Sequence, residues 1–310
     1  MDNNFNEVKA NKLIFTHKII YTFFAVCLLI ILFYNLTSAP SFNRGVANRQ
    51  GTTIHIMPNE SLSTITYDLE AKKVVKFAFV LKVFVTIFKS PRGVPVGDYL
   101  FKDNLPAWRV AWMLARGQHN VNPIKITLKE GMTNEEMATL LASKLSSFRR
   151  DLFLSDIRSK QGYLFPDTYF FFPLTTSPEI VETLSNNFKR HLDKLQNDIS
   201  NSNHTLSDII IMASIIQKEA KGESDAPLIS GILWKRISEN MSLQVDASKD
   251  TYTNLGLPPE PISNPGIIAI EAAIHPIDSP YLYYLHDKNG DIHFAKTYEE
   301  HKQNIYKYLK

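Results

Sequence analysis

Eighteen consecutive residues without a charge, Ile19 to Leu36, stand near the start of the chain. As a helix rising about 1.5 Å per residue they reach roughly 27 Å, close to the thickness of a bilayer's hydrocarbon core. Tyr21 and Tyr34 lie near the two ends, where aromatic rings favour the headgroup layer. A cleaved signal sequence is the rival reading. Its apolar region is usually shorter, and Ser38 with Ala39 make a poor cleavage site. The expectation is therefore a transmembrane helix over 19–36 behind a cytoplasmic tail, 1–18. Lys9, Lys12 and Lys18 precede the stretch and Arg44 and Arg49 follow it. That slight excess leans towards a cytoplasmic N-terminus, with everything from residue 40 outside.

Composition narrows what the remainder can do. At 44% apolar and 21% charged, the 310 residues are too hydrophobic for disorder and too mixed for several spans. The length suits about two domains. With 34 basic against 31 acidic residues the net charge is +3, too balanced to suggest nucleic acid. Cys27 is the single cysteine, so an intramolecular disulfide and a Cys-rich metal site are excluded. Neither HExxH nor a spaced Cys/His set is present, and no metal or cofactor is expected. A Gly-rich phosphate loop and a G-x-S-x-G elbow are absent too. His286 and His293 are placed to face each other across a predicted hairpin, as surface residues.

A Gly/Pro-bearing linker is expected over 37–51. A small mixed unit follows over 52–149, in the order β-α-α-β-α-β-α. Thr52–Met57 alternates like a strand, and Ser61 opens an apolar-periodic helix through Val74. Phe77–Phe88 is strongly apolar but only twelve residues long, which predicts a buried helix rather than a second span. Val94–Phe101 reads as a strand, Trp108–Ala115 as a helix closed by Gly117, and Ile124–Leu128 as a strand. Thr133 with Glu136 forms a capping box for a helix to Leu145. The unit over 150–310 is mainly helical, with helices predicted at Pro178–Leu195, Ser207–Lys221, Ala226–Asn240, Gly266–Ala273 and Tyr298–Leu309. Asn289-Gly290 between Tyr281–Leu285 and Ile292–Ala295 predicts a hairpin. The fold class is α+β.

The helix from Ser207 to Lys221 carries a carboxylate where none is needed for solubility. At roughly 100° per residue, Ile209, Met212, Ala213, Ile216 and Ala220 form an apolar stripe. Glu219 falls on that side, between Met212 and Ile215, whereas Ser214, Gln217 and Lys218 project away. Desolvation and the negative end of the helix dipole both oppose its ionisation. A carboxyl group that stays protonated near neutrality suits general acid catalysis. The pattern equally admits a structural ion pair with Arg236 or Lys235 on the next helix. Two further segments remain open at this stage. Gly162-Tyr-Leu-Phe-Pro-Asp-Thr-Tyr-Phe-Phe-Phe172 holds six aromatics in eleven residues, suited to stacking on sugar rings or to an aromatic core strand. Leu243-Gln-Val-Asp246, with Gly256-Leu-Pro-Pro259 through Asn264-Pro-Gly266, is a rigid border to a cleft or an ordinary connection.

Taken in order, Gly162-Tyr-Leu-Phe-Pro-Asp-Thr-Tyr169, Ala213-Ser-Ile-Ile-Gln-Lys-Glu-Ala220, Leu243-Gln-Val-Asp246, Thr251-Tyr-Thr with Gly256-Leu-Pro-Pro259, Asn264-Pro-Gly266, Ala273-Ile-His-Pro276 and Tyr281-Leu-Tyr283 resemble the endolytic murein transglycosylases, the MltG or YceG-like family. The resemblance runs from the apolar stretch to the C-terminus. It implies a LysM-like first soluble subdomain, with Gly97-Asp-Tyr-Leu-Phe101 and Leu128-Lys-Glu-Gly131 at the expected places. It also implies a single-pass inner-membrane protein whose catalytic domain, 150–310, is periplasmic. Such enzymes cut peptidoglycan glycan strands internally, where new strands are made. Glu219 matches the family's catalytic glutamate and would act alone as acid and base, since the muramyl 6-hydroxyl replaces water as nucleophile. Candidate substrate-binding residues are Gln161, Tyr163, Asp167, Gln244, Asp246, Tyr252 and Asn264. Peptidoglycan strands are the expected partner, with peptidoglycan synthases as further partners by resemblance. The sequence departs from the family pattern at Gln161 and Gln217, where glutamates are usual, and at Lys249 and Asp250 in a shortened loop. Those departures keep a second expectation open, a catalytically weak glycan-binding scaffold.

Overall fold

The computed structural model describes residues 2–39, 51–88, 93–102 and 105–310. The linker expected over 37–51 falls, from residue 40 to 50, outside the described residues. The chain divides into two compact units, Met1–Asn122 and Pro123–Lys310.

In the first unit a single helix, α1 (Asp2–Thr37), takes in residues 2–18 of the tail expected over 1–18. Within it, Lys18–Thr37 is 20 residues long and apolar enough to cross a membrane. Beyond it, β1 (Thr52–Ile56) turns Ile54 and Ile56 into the core. It pairs antiparallel with β2 (Gly97–Phe101), Ile54 opposite Tyr99. Two helices connect the strands. The hydroxyl of Ser61 accepts the Thr64 N–H and starts α2 (Leu62–Ala71), satisfying one of the free amides of a first turn. The second, α3 (Ala78–Phe88), buries Ala78, Val80, Leu81 and Val85. It packs against α4 (Ala107–Arg116). Gly117 ends α4 in the left-handed conformation, φ +63°. The predicted burial of Phe77–Phe88 is thus half right: Phe79, Val83 and Ile87 are exposed.

The boundary expected near 150 lies inside the second unit. The reason is strand pairing: β3 (Ile124–Thr127) bonds antiparallel to β4 (Thr168–Phe171), which ties the segment after Asn122 to the later chain. Around this sheet lie α5 (Asn134–Lys144), α6 (Arg150–Asp156) and the first half of α7 (Ser177–Asn201). The Thr133–Glu136 capping box forms as predicted. Met137, Leu141, Phe153, Leu164, Ile180 and Leu184 make one core here. A second core surrounds α8 (Leu206–Glu219), against which α9 (Ala226–Ser238) and α10 (Ile267–Ile274) pack. The Asn-Gly signal yields the hairpin of β5 (Tyr283–His286) and β6 (Ile292–Ala295). Its turn is held by Asp287, whose Oδ1 accepts the N–H groups of Asn289 and Asp291. His286 stands opposite Ile292 and His293 opposite Leu285, so the two histidines are not cross-strand partners. A last helix, α11 (Tyr298–Tyr308), opens with a Thr297–Glu300 capping box.

Candidate active site

Every residue of α8 from Ile209 to Ile216 is buried. A helix enclosed on all sides has no solvent face, and this corrects part of the helical projection. Ser214 is fully buried: its hydroxyl donates to the Ile211 carbonyl and accepts the Ile262 N–H. Gln217 turns to Gly266, accepting its N–H through Oε1 at 2.9 Å. Of the three residues expected outside, only Lys218 is exposed. Glu219 is the last residue of the helix, half-buried, with Ala220 already extended at φ −73°, ψ 132°.

Around its carboxyl group converge residues from three elements. The Tyr284 hydroxyl, on β5, donates to Glu219 Oε2 at 3.2 Å. Arg236, on α9, supplies a nearby positive charge, and Asp246 a negative one. Burial is the largest influence and pushes the Glu219 carboxyl above the ordinary carboxylate range. The Tyr284 hydrogen bond opposes it, Asp246 reinforces it, and the Ala247 N–H and Arg236 oppose it again; the net direction is up. Burial and the adjacent Glu219 charge in turn hold the Tyr284 phenol well above its usual range. Tyr284 is therefore a hydrogen-bond donor, not a base, at any working pH.

The ion pair that the pattern also admitted does not form. Arg236 spends its donors on backbone: Nε on the Leu282 carbonyl and Nη1 on the Leu243 carbonyl, both at 2.6 Å. Its guanidinium lies 5.0 Å from the centre of the Tyr283 ring. Lys235 Nζ goes to the Ser279 carbonyl. One buried cation thus fastens the segment leading to Asp246 and the strand carrying Tyr284.

The loop after Leu243 is held by the buried Thr251. Its hydroxyl accepts the Val245 N–H and donates to the Ser248 carbonyl at 2.6 Å, while its carbonyl accepts the Gln244 N–H. Gln244 adopts φ +51°, a left-handed conformation that a non-glycine residue keeps only where its surroundings enforce it. The exposed Tyr252 donates its hydroxyl to Asp246 Oδ1 at 2.5 Å, which raises the Tyr252 pKa.

Asp246 and Tyr252 are thereby brought to Glu219, with Gln244 in the same loop. The other four candidates take up positions in the packing. Asn264 is fully buried; Oδ1 accepts the N–H groups of Gly162 and Leu164, and Nδ2 donates to the Met132 carbonyl and Asn134 Oδ1. Gln161 donates to the Pro261 carbonyl and accepts the Asn134 N–H. Tyr163 packs edge-on against Phe188 at 5.4 Å. Asp167 accepts hydrogen bonds from the Thr168 N–H and from Asn187 Nδ2. Gly162 sits between them at φ +88°, where an added Cβ would lie 2.6 Å from Pro261. The aromatic run is largely core, with Leu164, Phe165, Tyr169 and Phe171 buried and Phe170 exposed. Sequence reasoning missed Tyr284 and saw Arg236 only as an ion-pair partner. A tyrosine on a predicted hairpin strand gives no sign of which carboxyl group it meets. A cavity of about 230 Å³ lined by Gln217, Ala220 and Lys221 borders the same helix end without Glu219 in its wall.

With this geometry in hand, the relatives of the chain are informative. It is 25% identical over 305 residues to the endolytic murein transglycosylase of Bacillus subtilis (strain 168), covering 83% of this chain and 84% of that protein. Identity to the endolytic murein transglycosylase of Streptococcus pneumoniae serotype 2 (strain D39 / NCTC 7466) is 21% over 322 residues, with 83% of this chain but only 58% of that protein covered. Among solved structures, a YceG-like protein from Listeria monocytogenes shares the fold with a TM-score of 0.54 at 26% identity. That match covers 81% of this chain and 98% of the other. The model of the YceG-like family matches residues 54–249 and 250–307, nearly all of both units past the apolar helix, and so the chain belongs to the YceG-like family.

Proposed function

We propose that the protein is a membrane-anchored endolytic murein transglycosylase in which Glu219 is the single acid and base. The observation that carries this reading is the Glu219 carboxyl group at the end of a buried helix, shifted towards its protonated form and held by a neutral donor. Protonated Glu219 gives its proton to the glycosidic oxygen between N-acetylmuramic acid and N-acetylglucosamine, and the bond from that oxygen to the muramyl C1 breaks. The carboxylate left behind takes the proton of the muramyl 6-hydroxyl as its oxygen bonds to C1. One C–O bond is lost and one gained, and the ring closes as a 1,6-anhydro sugar. No water is consumed, so a second carboxylate of the kind used in glycoside hydrolysis is not required. Burial and Asp246 favour the acid of the first step; Tyr284, the Ala247 N–H and Arg236 steady the carboxylate of the second.

The β-α-α-β order of the first unit, with its end strands paired, supports a LysM-like glycan-binding role there. The apolar helix supports single-pass anchoring in the inner membrane with both soluble units in the periplasm. Peptidoglycan synthases are the partners that such a location predicts. Asp246 and Tyr252, beside Glu219, and Gln244 in the same loop are the residues of the candidate set to which substrate contact is assigned. Digestion of purified glycan strands, followed by mass analysis of the ends, tests the reading. Anhydro-muramyl ends are expected from the native chain and none from Glu219→Gln. Reducing ends instead would make the enzyme a hydrolase, and intact strands would leave only binding.

A further inference from the structure

Helix α3 has two apolar sides, and among the described residues protein covers only one of them. Its sequence, AFVLKVFVTIF, contains a single charge. A helix apolar all round is normally enclosed. Here Val80, Leu81 and Val85 enter the core of the first unit, while Phe79 is 61% exposed, Val83 54% and Ile87 66%. Their spacing of four residues aligns them in one stripe. Phe77, exposed just ahead of the helix, adds a ring 5.9 Å from that of Phe79.

The helix is also tied to the end of the membrane span. Lys76 Nζ donates to Ser38 Oγ at 2.8 Å, one residue past the end of the Lys18–Thr37 segment. Leu36 packs against the same cluster that receives Val80, Leu81 and Val85. A span of 20 residues covers about 30 Å, the hydrocarbon thickness, so Ser38 stands at the boundary with the headgroups. Lys76 reaches it directly, and α3 begins two residues later, within about 7 Å of extended chain. At that depth an apolar stripe meets acyl-chain ends, and lysines beside it meet phosphate. Lys76 and Lys82 flank the stripe.

We propose that α3 lies in the membrane interface, with Phe79, Val83 and Ile87 seated in the bilayer that α1 spans. The occupant of the stripe is the lipid surface itself. The first unit is then held against the membrane by a second, lateral contact beyond its anchor. This rests on the reading of α1 as a span, and one experiment separates the two.

Cys27, within the span, is the chain's single cysteine. The full-length protein is labelled there with a nitroxide and reconstituted in phosphatidylcholine–phosphatidylglycerol vesicles. Parallel samples carry Cys27→Ser with Phe79→Cys, Val83→Cys, Ile87→Cys or, as an aqueous reference, Lys302→Cys. All four positions are exposed, so the substitutions leave the buried core intact. The expected result is an oxygen-to-nickel-chelate accessibility ratio severalfold higher at 79, 83 and 87 than at 302, and higher still at 27. A lipid-like Cys27 with stripe positions matching Lys302 overturns the proposal and leaves the anchor standing. Spin–spin broadening at the stripe without a raised ratio also overturns it, in favour of a second copy of the chain. A water-like Cys27 removes the anchor and the proposal together.

Discussion

Two carboxylates, one in each unit, are held in opposite ways. Asp98 on β2 is fully buried and bonded at 2.6 Å to Nδ1 of His55, its direct neighbour in the strand register. Glu219 is only half-buried, and its side-chain hydrogen-bond donor is the neutral phenol of Tyr284. A buried carboxylate facing a group that can carry positive charge serves the fold. One facing a neutral donor at a helix end, shifted towards its acid form, keeps a proton to give. The chemistry of the partner, more than burial alone, separates the carboxylate assigned to the fold from the one proposed as the acid.

The largest test of that contrast is Glu219→Gln. Turnover of glycan strands should fall by about 10³-fold or more, read as anhydro-muramyl ends formed per enzyme. Stability should move the other way. A carboxyl group whose pKa is raised on folding makes the native state less stable as pH climbs from its unfolded value through its folded one. The amide escapes that loss, so the variant should melt higher than the native chain at pH 7, with the gain vanishing below about pH 4. Equal melting at both pH values would break the comparison.

Asp98→Asn should do the reverse, lowering unfolding free energy by about 2 kcal/mol in urea titrations while cleavage by the folded protein is unchanged. Tyr284→Phe sharpens the contrast on the reactive side. The hydroxyl lowers the Glu219 pKa, so its loss should move the alkaline limb of the kcat profile to higher pH. At the optimum kcat should fall about tenfold, the worth of one hydrogen bond to a charged group, with KM little altered. An unmoved limb would mean that Tyr284 only packs. The smallest effect belongs to Asp246→Asn. Removing that negative charge lowers the Glu219 pKa, and the alkaline limb should shift to lower pH, opposite in sign to Tyr284→Phe.

Local chemistry was legible in the residues themselves. The Thr133–Glu136 capping box, the Asn-Gly hairpin and the glycine stop of α4 formed where turn and cap preferences put them. Glu219 stood out because a charge on an apolar stripe breaks the helical pattern. What periodicity could not convey was how many sides of an element are covered. It left Ser214 and Gln217 in solvent although α8 is enclosed, and it enclosed α3 although Phe79, Val83 and Ile87 are exposed. Long-range partners were equally out of reach: the pairing of β3 with β4 that moves the unit boundary, the Asn264 hydrogen bonds across a hundred residues, and the meeting of Tyr284 with Glu219.

Arg236 joins through one guanidinium the loop bearing Asp246 and the strand bearing Tyr284. Of the two neighbours it tethers, one raises and one lowers the acidity threshold of Glu219. Because both hang from the same peg, a shift of either is passed on to its counterweight. The readiness of the proton and the set of the loop are therefore geared together, and on the proposed reading of Glu219 as the acid a substitution that shifts this loop will also retune the pH of cleavage.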